Sequence, residues 1–182
     1  MLCGIDEAGR GCLAGPLVVA GAILKEPVLG LNDSKQLSEK QREALFEILQ
    51  NAAEFKIVFC DNLMVDTQGL SACLRYAIET IKAHFEGDDI LMDGNCNFGV
   101  SGITTMIKAD AKVPEVSAAS ILAKVSRDRY MYDIASTYPQ YEFEKHKGYG
   151  SALHVEKIKA FGYCELHRKT FKIKSLSQPT LF

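Results

Sequence analysis

Leu2-Cys3-Gly4-Ile5-Asp6-Glu7-Ala8-Gly9-Arg10-Gly11 opens the chain, and Leu17-Val18-Val19-Ala20-Gly21-Ala22-Ile23-Leu24 follows it. The first stretch is a short apolar run that delivers two adjacent carboxylates into a glycine-broken turn. The second is a β-branched apolar run bounded by Gly15-Pro16 and Lys25-Glu26-Pro27. Both read as strands, and the connection between them is too short for a parallel crossover, so they form a hairpin. Adjacent acids at a strand end cost desolvation and mutual repulsion, and a fold that places them there generally has a cation to neutralise them. A polar hairpin turn is the plain alternative.

Working outward, Ser38-Glu39-Lys40-Gln41 is a capping-box pattern, and Leu45, Phe46, Ile48, Leu49 and Ala52 follow at helical spacing, which predicts a helix over about 39–53. Phe55-Lys56-Ile57-Val58-Phe59 alternates as a strand does. Leu70, Leu74, Ala77, Ile78, Ile81 and Phe85 form a helical stripe that stops at Gly87. Ile90-Leu91-Met92 reads as a short buried strand ending at Asp93, and residues 102–108 as another running into Ala109-Asp110. Pro114 opens a long helix with Ala118, Ile121, Leu122 and Val125 on one face, ending before Pro139, and residues 151–161 make a short helix closed by Gly162. The expected class is α/β, a mixed sheet flanked by helices.

A chain of 182 residues, 47% hydrophobic, can bury one substantial core. No apolar run reaches the roughly 20 residues that span a bilayer, and the start is not a signal peptide, so a cytoplasmic protein without membrane partners is expected. It starts five residues before Asp6, so no binding module is expected ahead of the core. Six cysteines lie scattered without a C-x-x-C pair, which indicates neither a zinc site nor a disulfide framework but reduced thiols. The net charge of −2 hides an asymmetry: residues 144–174 carry eight Lys or Arg against three acids, leaving −7 on the remainder. An acidic body with a basic C-terminal third suits a metal-dependent enzyme acting on a polyanion, and equally suits a solvated helix face.

Three predicted strand ends thus present acids: Asp6 with Glu7, then Asp93, then Asp110. Oxygen ligands without histidine or thiolate select Mg2+ or Mn2+, and a pair of such ions about 3.5 to 4 Å apart supports in-line attack of water on a phosphodiester. Neighbouring strand residues point to opposite faces. Asp6 and Glu7 can therefore share a site only if the strand breaks at Glu7.

At this point several motifs in one order carry a resemblance. Asp6-Glu7-Ala8-Gly9-Arg10-Gly11, Asp33-Ser34-Lys35-Gln36-Leu37-Ser38, Met92-Asp93-Gly94-Asn95, Lys108-Ala109-Asp110, the run Ser117 to Asp128, and His146-Lys147-Gly148-Tyr149-Gly150 resemble the motifs of bacterial ribonuclease HII across residues 2 to about 171. The resemblance implies a ribonuclease H-like fold. It also implies an endonuclease that cuts 5′ to ribonucleotides in RNA/DNA hybrids or embedded in duplex DNA, leaving 3′-hydroxyl and 5′-phosphate ends, in ribonucleotide removal, replication and repair. Carried over, Asp6, Glu7, Asp93 and Asp110 hold two divalent ions, Mn2+ or Mg2+. Backbone groups of Gly9, Arg10 and Gly11 read the 2′-hydroxyl. Tyr149 stacks on the sugar after the ribonucleotide, or is a surface turn aromatic. Lys35, Lys124, Arg127, Lys147 and Arg168 are candidate phosphate contacts. Lys124 and Arg127 lie three apart on one helix face, and Asp128 beside them could equally make a surface pair. His146, His154 and His167 read as polar surface. Where many family members follow Lys-Gly-Tyr with proline and threonine, this chain has Gly150-Ser151, which loosens the loop and could weaken junction preference.

The expected organisation is a catalytic core over 1–140, a basic helical extension over 141–174, and a tail over 175–182. That tail ends Gln178-Pro179-Thr180-Leu181-Phe182, similar to the Gln-x-x-Leu-Phe peptide that docks bacterial repair proteins on the sliding clamp; Gln178, Leu181 and Phe182 are the candidate contacts. Two rivals stand beside the nuclease. Paired carboxylates also serve glycoside hydrolysis, but the chain has no Trp for a sugar platform and has a basic segment instead. A non-catalytic nucleic-acid or clamp-binding module is the other, weakened by the presence of all four acids.

Overall fold

The computed structural model describes residues 1–31 and 36–173. Lys35, Gln178, Leu181 and Phe182 lie outside the described residues, and so do the expectations that fall on them. The strands are β1 (Leu2–Ala8), β2 (Leu17–Leu24), β3 (Ala53–Cys60), β4 (Asp89–Asp93) and β5 (Thr104–Met106). The helices are α1 (Glu39–Ala52), α2 (Asn62–Gln68), α3 (Leu70–His84), α4 (Pro114–Ala135), α5 (Phe143–His146) and α6 (Ala152–Phe161). They build a five-stranded mixed sheet in the order β3-β2-β1-β4-β5. β1, β2 and β3 pair antiparallel, while β1–β4 and β4–β5 are parallel.

Helices cover both faces. Cys3, Ile5, Leu17, Val19 and Ile23 pack with Leu74, Ile78 and Ile81 of α3. Val18, Ala20 and Ala22, one residue out of phase, pack with Leu45 and Leu49 of α1 and Ala118, Ile121 and Leu122 of α4. Strands covered on both sides read as continuous apolar runs, as β2 does. The approach of α4 to β1 needs a glycine: a Cβ on Gly4 would lie 2.3 Å from the backbone of Glu115 and Val116. The predicted capping box is formed, with the Ser38 hydroxyl accepting from the Gln41 N–H and the Gln41 side chain accepting from Ser38 N–H.

Three expectations change. β5 is only three residues long, and Asp110 sits in a 3-10 turn, Ala109–Ala111, entered through Lys108 at φ 58° rather than at a strand end. Helix α2, capped by the Asp61 carboxylate on Met64 N–H, has too few residues to show a period. His146, His154 and His167 are not surface polarity; each is buried. Among the described residues no helix is long and apolar enough to cross a membrane, and all six cysteines are free thiols.

Candidate active site

Parallel pairing aligns the carboxyl ends of β1 and β4. Ile5 sits opposite Met92, so the next residues, Asp6 within β1 and Asp93 at the end of β4, lie side by side on the face that α4 covers. Asp6, Glu7 and Asp93 border one cleft of about 310 Å³ with Ala8, Gly9, Arg10, Gly11, Arg42, Ser120, Lys124 and Tyr149. β1 does not break at Glu7 but runs to Ala8, contrary to the condition set by strand alternation. Both acids reach the cleft because it opens across the end of the sheet, where side chains of either face can border it.

The acids in the cleft repel one another. Burial, then the Glu7 carboxylate, push the Asp6 carboxyl up to about 8, and Asp93 adds to the rise. The Ser120 hydroxyl and Glu7 N–H oppose it by donating to Asp6. Asp93 Oδ1 accepts from Ala109 N–H at 2.7 Å, tying β4 to the turn that carries Asp110. Asp110 itself is buried and borders an adjacent small pocket with Ser117, Pro114 and Leu31 rather than the cleft. The structure therefore gathers three acids and sets the fourth beside them. Among the described residues no group of three or more His, Cys, Asp or Glu is close enough to grip an ion unaided. The donor set, oxygen only and mutually repelling around a buried Asp6, fits a hard divalent cation.

The basic residues separate into two kinds. Lys124 borders the cleft, pairs with Asp128 at 2.8 Å and lies 5.1 Å from the Tyr149 ring centroid. Arg10 is half-exposed beside Glu7. Arg127, Arg168 and Lys147 are corrections, because all three are buried. Arg127 donates to the carbonyls of Pro16, Lys147 and Ala14 at 2.9, 2.8 and 3.0 Å. Arg168 donates to Gly15 and Arg10 carbonyls at 3.0 and 3.1 Å. Lys147 Nζ donates to Glu144 O and lies over the Tyr132 ring. The Arg127 and Arg168 side chains hold the 9–16 loop from inside, Lys147 is turned back on its own helix, and all three have little to offer a phosphate. Gly9, at φ 85°, is needed there because a Cβ would fall 2.1 Å from Arg127 Nε.

Two cleft residues escaped the sequence. Ser120 carried a faint signal, a hydroxyl within an apolar helix run. Arg42 carried none; it reaches the cleft through the packing of α1, with Nη1 donating to Leu37 O.

The whole chain overlays, with a TM-score of 0.84 and 28% identity, on 98% of the ribonuclease HII in the Archaeoglobus fulgidus PCNA:RNase HII complex. It also overlays, over 88% of its length and 62% of the other chain, on Bst-RNase HIII in complex with Mn2+, at TM-score 0.70 and 20% identity, a likeness of fold alone. Fold and site together define a ribonuclease H-like endonuclease, a hydrolase of the α/β class. Residues 3–174 match ribonuclease HII, and the Sulfurovum sp. (strain NBC37-1) ribonuclease HII is 55% identical over 181 residues, covering 100% of this chain and 96% of that one. The chain belongs to the ribonuclease HII family.

Proposed function

We propose that this protein hydrolyses the phosphodiester on the 5′ side of ribonucleotides, in RNA/DNA hybrids and at single ribonucleotides embedded in duplex DNA. The observation that carries the reading is the convergence of Asp6, Glu7 and Asp93 on one cleft edged by the Gly9–Gly11 backbone, Lys124 and Tyr149. Asp6, Glu7 and Asp93, joined by Asp110 from the neighbouring turn, would hold two Mg2+ or Mn2+ ions. Such ions supply charge neutralisation at the phosphate and a water acidic enough to attack in line. The exposed turn at Arg10 and Gly11 offers backbone groups to the ribose 2′-hydroxyl, and a Cβ on Gly11 would meet nothing within 4 Å. Tyr149, 39% exposed at the rim, is available to stack on the next sugar. Water adds to phosphorus as the bond to the 3′-oxygen breaks, leaving a 3′-hydroxyl and a 5′-phosphate. Residues 1–140 act as the catalytic core and 141–174 as a basic extension that braces the 9–16 loop, in a cytoplasmic protein of ribonucleotide removal and repair.

The test is cleavage of a labelled DNA duplex carrying one ribonucleotide, with Mg2+, Mn2+ or EDTA. A single cut 5′ to the ribonucleotide is expected with metal and none with EDTA. Asp93→Asn should reduce cleavage at least about 100-fold while duplex binding stays measurable. Binding without cleavage in the unsubstituted protein would favour a non-catalytic module, and cleavage in EDTA would remove the metal role.

The terminal Gln178-Pro179-Thr180-Leu181-Phe182 is proposed as a sliding-clamp peptide, a reading supported by the clamp complex of the Archaeoglobus relative. Unchanged clamp affinity after deletion of residues 178–182 would sink it.

A further inference from the structure

The loop that carries Tyr149 is held partly by its own backbone, Tyr149 N–H donating to His146 O at 2.9 Å and Ser151 N–H to Tyr149 O at 2.8 Å, and partly by its surroundings. Lys147 and Gly148 are consecutive left-handed residues, at φ 50° and 79°, and a non-glycine residue rarely adopts that conformation unless its surroundings impose it. Three buried histidines face this loop, and their hydrogen bonds leave no freedom in where the protons sit. A carbonyl only accepts, so His146 Nε2, 2.8 Å from Tyr141 O, and His154 Nδ1, 2.9 Å from Tyr149 O, both carry hydrogen. A backbone N–H only donates, so His146 Nδ1 accepts from Gly148 at 3.2 Å and His167 Nδ1 accepts from Cys164 at 2.9 Å. A neutral imidazole has one nitrogen of each kind. His167 Nε2 is then the donor and His154 Nε2 the acceptor across their 3.1 Å contact. The row runs Cys164 N–H to His167, His167 to His154, and His154 to the carbonyl of Tyr149. His146, stacked on His154 with ring centroids 4.1 Å apart, holds Gly148 N–H alongside.

A charged ring would break the row, since an added proton on any of the three would confront another donor. Burial favours the neutral forms accordingly, pushing His154 and His167 down to about 4. On its far side the same loop docks to the segment that follows the Gly9–Gly11 turn, because Gly148 O accepts from Leu13 N–H at 2.8 Å and Ala14 N–H at 3.3 Å.

We propose that His154, oriented by His167, is a positioning residue that sets Tyr149 against the Gly9–Gly11 turn and thereby selects a single embedded ribonucleotide over a continuous hybrid. The inference rests on the stacking role given to Tyr149 above. His154 touches no substrate; it acts through one backbone carbonyl.

The experiment compares cleavage of a duplex with one ribonucleotide and of a long RNA/DNA hybrid. His154→Ala should lose about tenfold on the first and about twofold or less on the second, the scale expected of a small misplacement. His154→Asn, whose amide nitrogen stands near the former Nδ1, should recover most of the loss. The pair His154→Ala with Tyr149→Ala should lose no more than Tyr149→Ala alone. Equal losses on both substrates in Tyr149→Ala would overturn the role of Tyr149, and this proposal with it. A selective Tyr149→Ala beside an unselective His154→Ala, or absence of rescue by Asn, would overturn the positioning role alone. Nitrogen-15 imidazole spectra of the unsubstituted protein at pH 7 need no folded variant: His154 should be the Nδ1–H tautomer, His146 and His167 the Nε2–H tautomer, with scalar coupling across the Nε2–Nε2 contact. A His154 that is cationic or Nε2–H would overturn the proposal.

Discussion

Arg127 carries the same formal charge whether it faces a phosphate or a carbonyl, and only its direction tells the two apart. Here all three directions end on carbonyls of Pro16, Lys147 and Ala14, inside the protein. Lysine has a point charge in place of the planar fork and cannot serve three separated acceptors. Arg127→Lys should therefore cost about 2 to 4 kcal/mol in urea unfolding, as buried acceptors lose their donors. Its effect on the salt dependence of duplex binding should be negligible. A salt slope reduced by about one with unchanged stability would restore Arg127 as a phosphate contact. The acids were more legible than the bases. An apolar run that stops at Asp6 or Asp93 announces a carboxylate on a strand, at its end for Asp93 and two residues short of it for Asp6, whereas a lone Arg or Lys in a helix announces nothing about its partner.

At the scale of elements, β1, β2, β4 and the main helices follow from apolar period and capping, and the hairpin from the short connection. The turn at Asp110 does not follow, because three residues of 3-10 helix have no period to read and Lys108 in a left-handed conformation is not a sequence signal. Helix α4 shows what the elements demand of each other. Residues 116–123 are all buried, so the helix runs through the interior rather than over it. Its backbone meets β1 at Gly4, where there is no flexible side chain to move aside. Gly4→Ala should thus sit at or beyond the upper end of overpacking costs, about 3 kcal/mol, measured as a fall in the urea midpoint. A near-neutral substitution would show that the β1–α4 spacing can relax.

The whole molecule is tied together across its ends: segments 9–16, 146–151 and 164–168 form one hydrogen-bonded unit of which the three histidines are the centre. Unfolded, these histidines take up protons near their ordinary value of 6.5; folded, His154 and His167 resist until about 4. The unfolded state then binds more protons across that window, so stability is fully present above pH 6.5 and is lost as pH falls toward 4, by up to about 3 kcal/mol for each. Asp6 works in the opposite sense, since its raised value makes the folded protein the stronger proton binder. The measurement is therefore made in Asp6→Asn, with urea midpoints between pH 7 and 5. A flat profile there would contradict the neutral histidine row.

By itself the sequence determined the class of sheet and the family through its ordered motifs, and it singled out Asp6, Glu7, Asp93 and Asp110 as the candidate metal-holding acids. Those are consequences of local pattern, legible because burial forces apolar periodicity and punctuates it with charge. Only the tertiary structure decided that Glu7 joins Asp6 without a strand break, that Asp110 stands beside the cleft rather than in it, and that Ser120 and Arg42 complete its wall. It also turned Arg127, Arg168 and the histidines inward. Hydrogen-bond direction across 100 or more residues, as between Arg127 and Pro16, depends on how the layers pack, and no local stretch of chain encodes it.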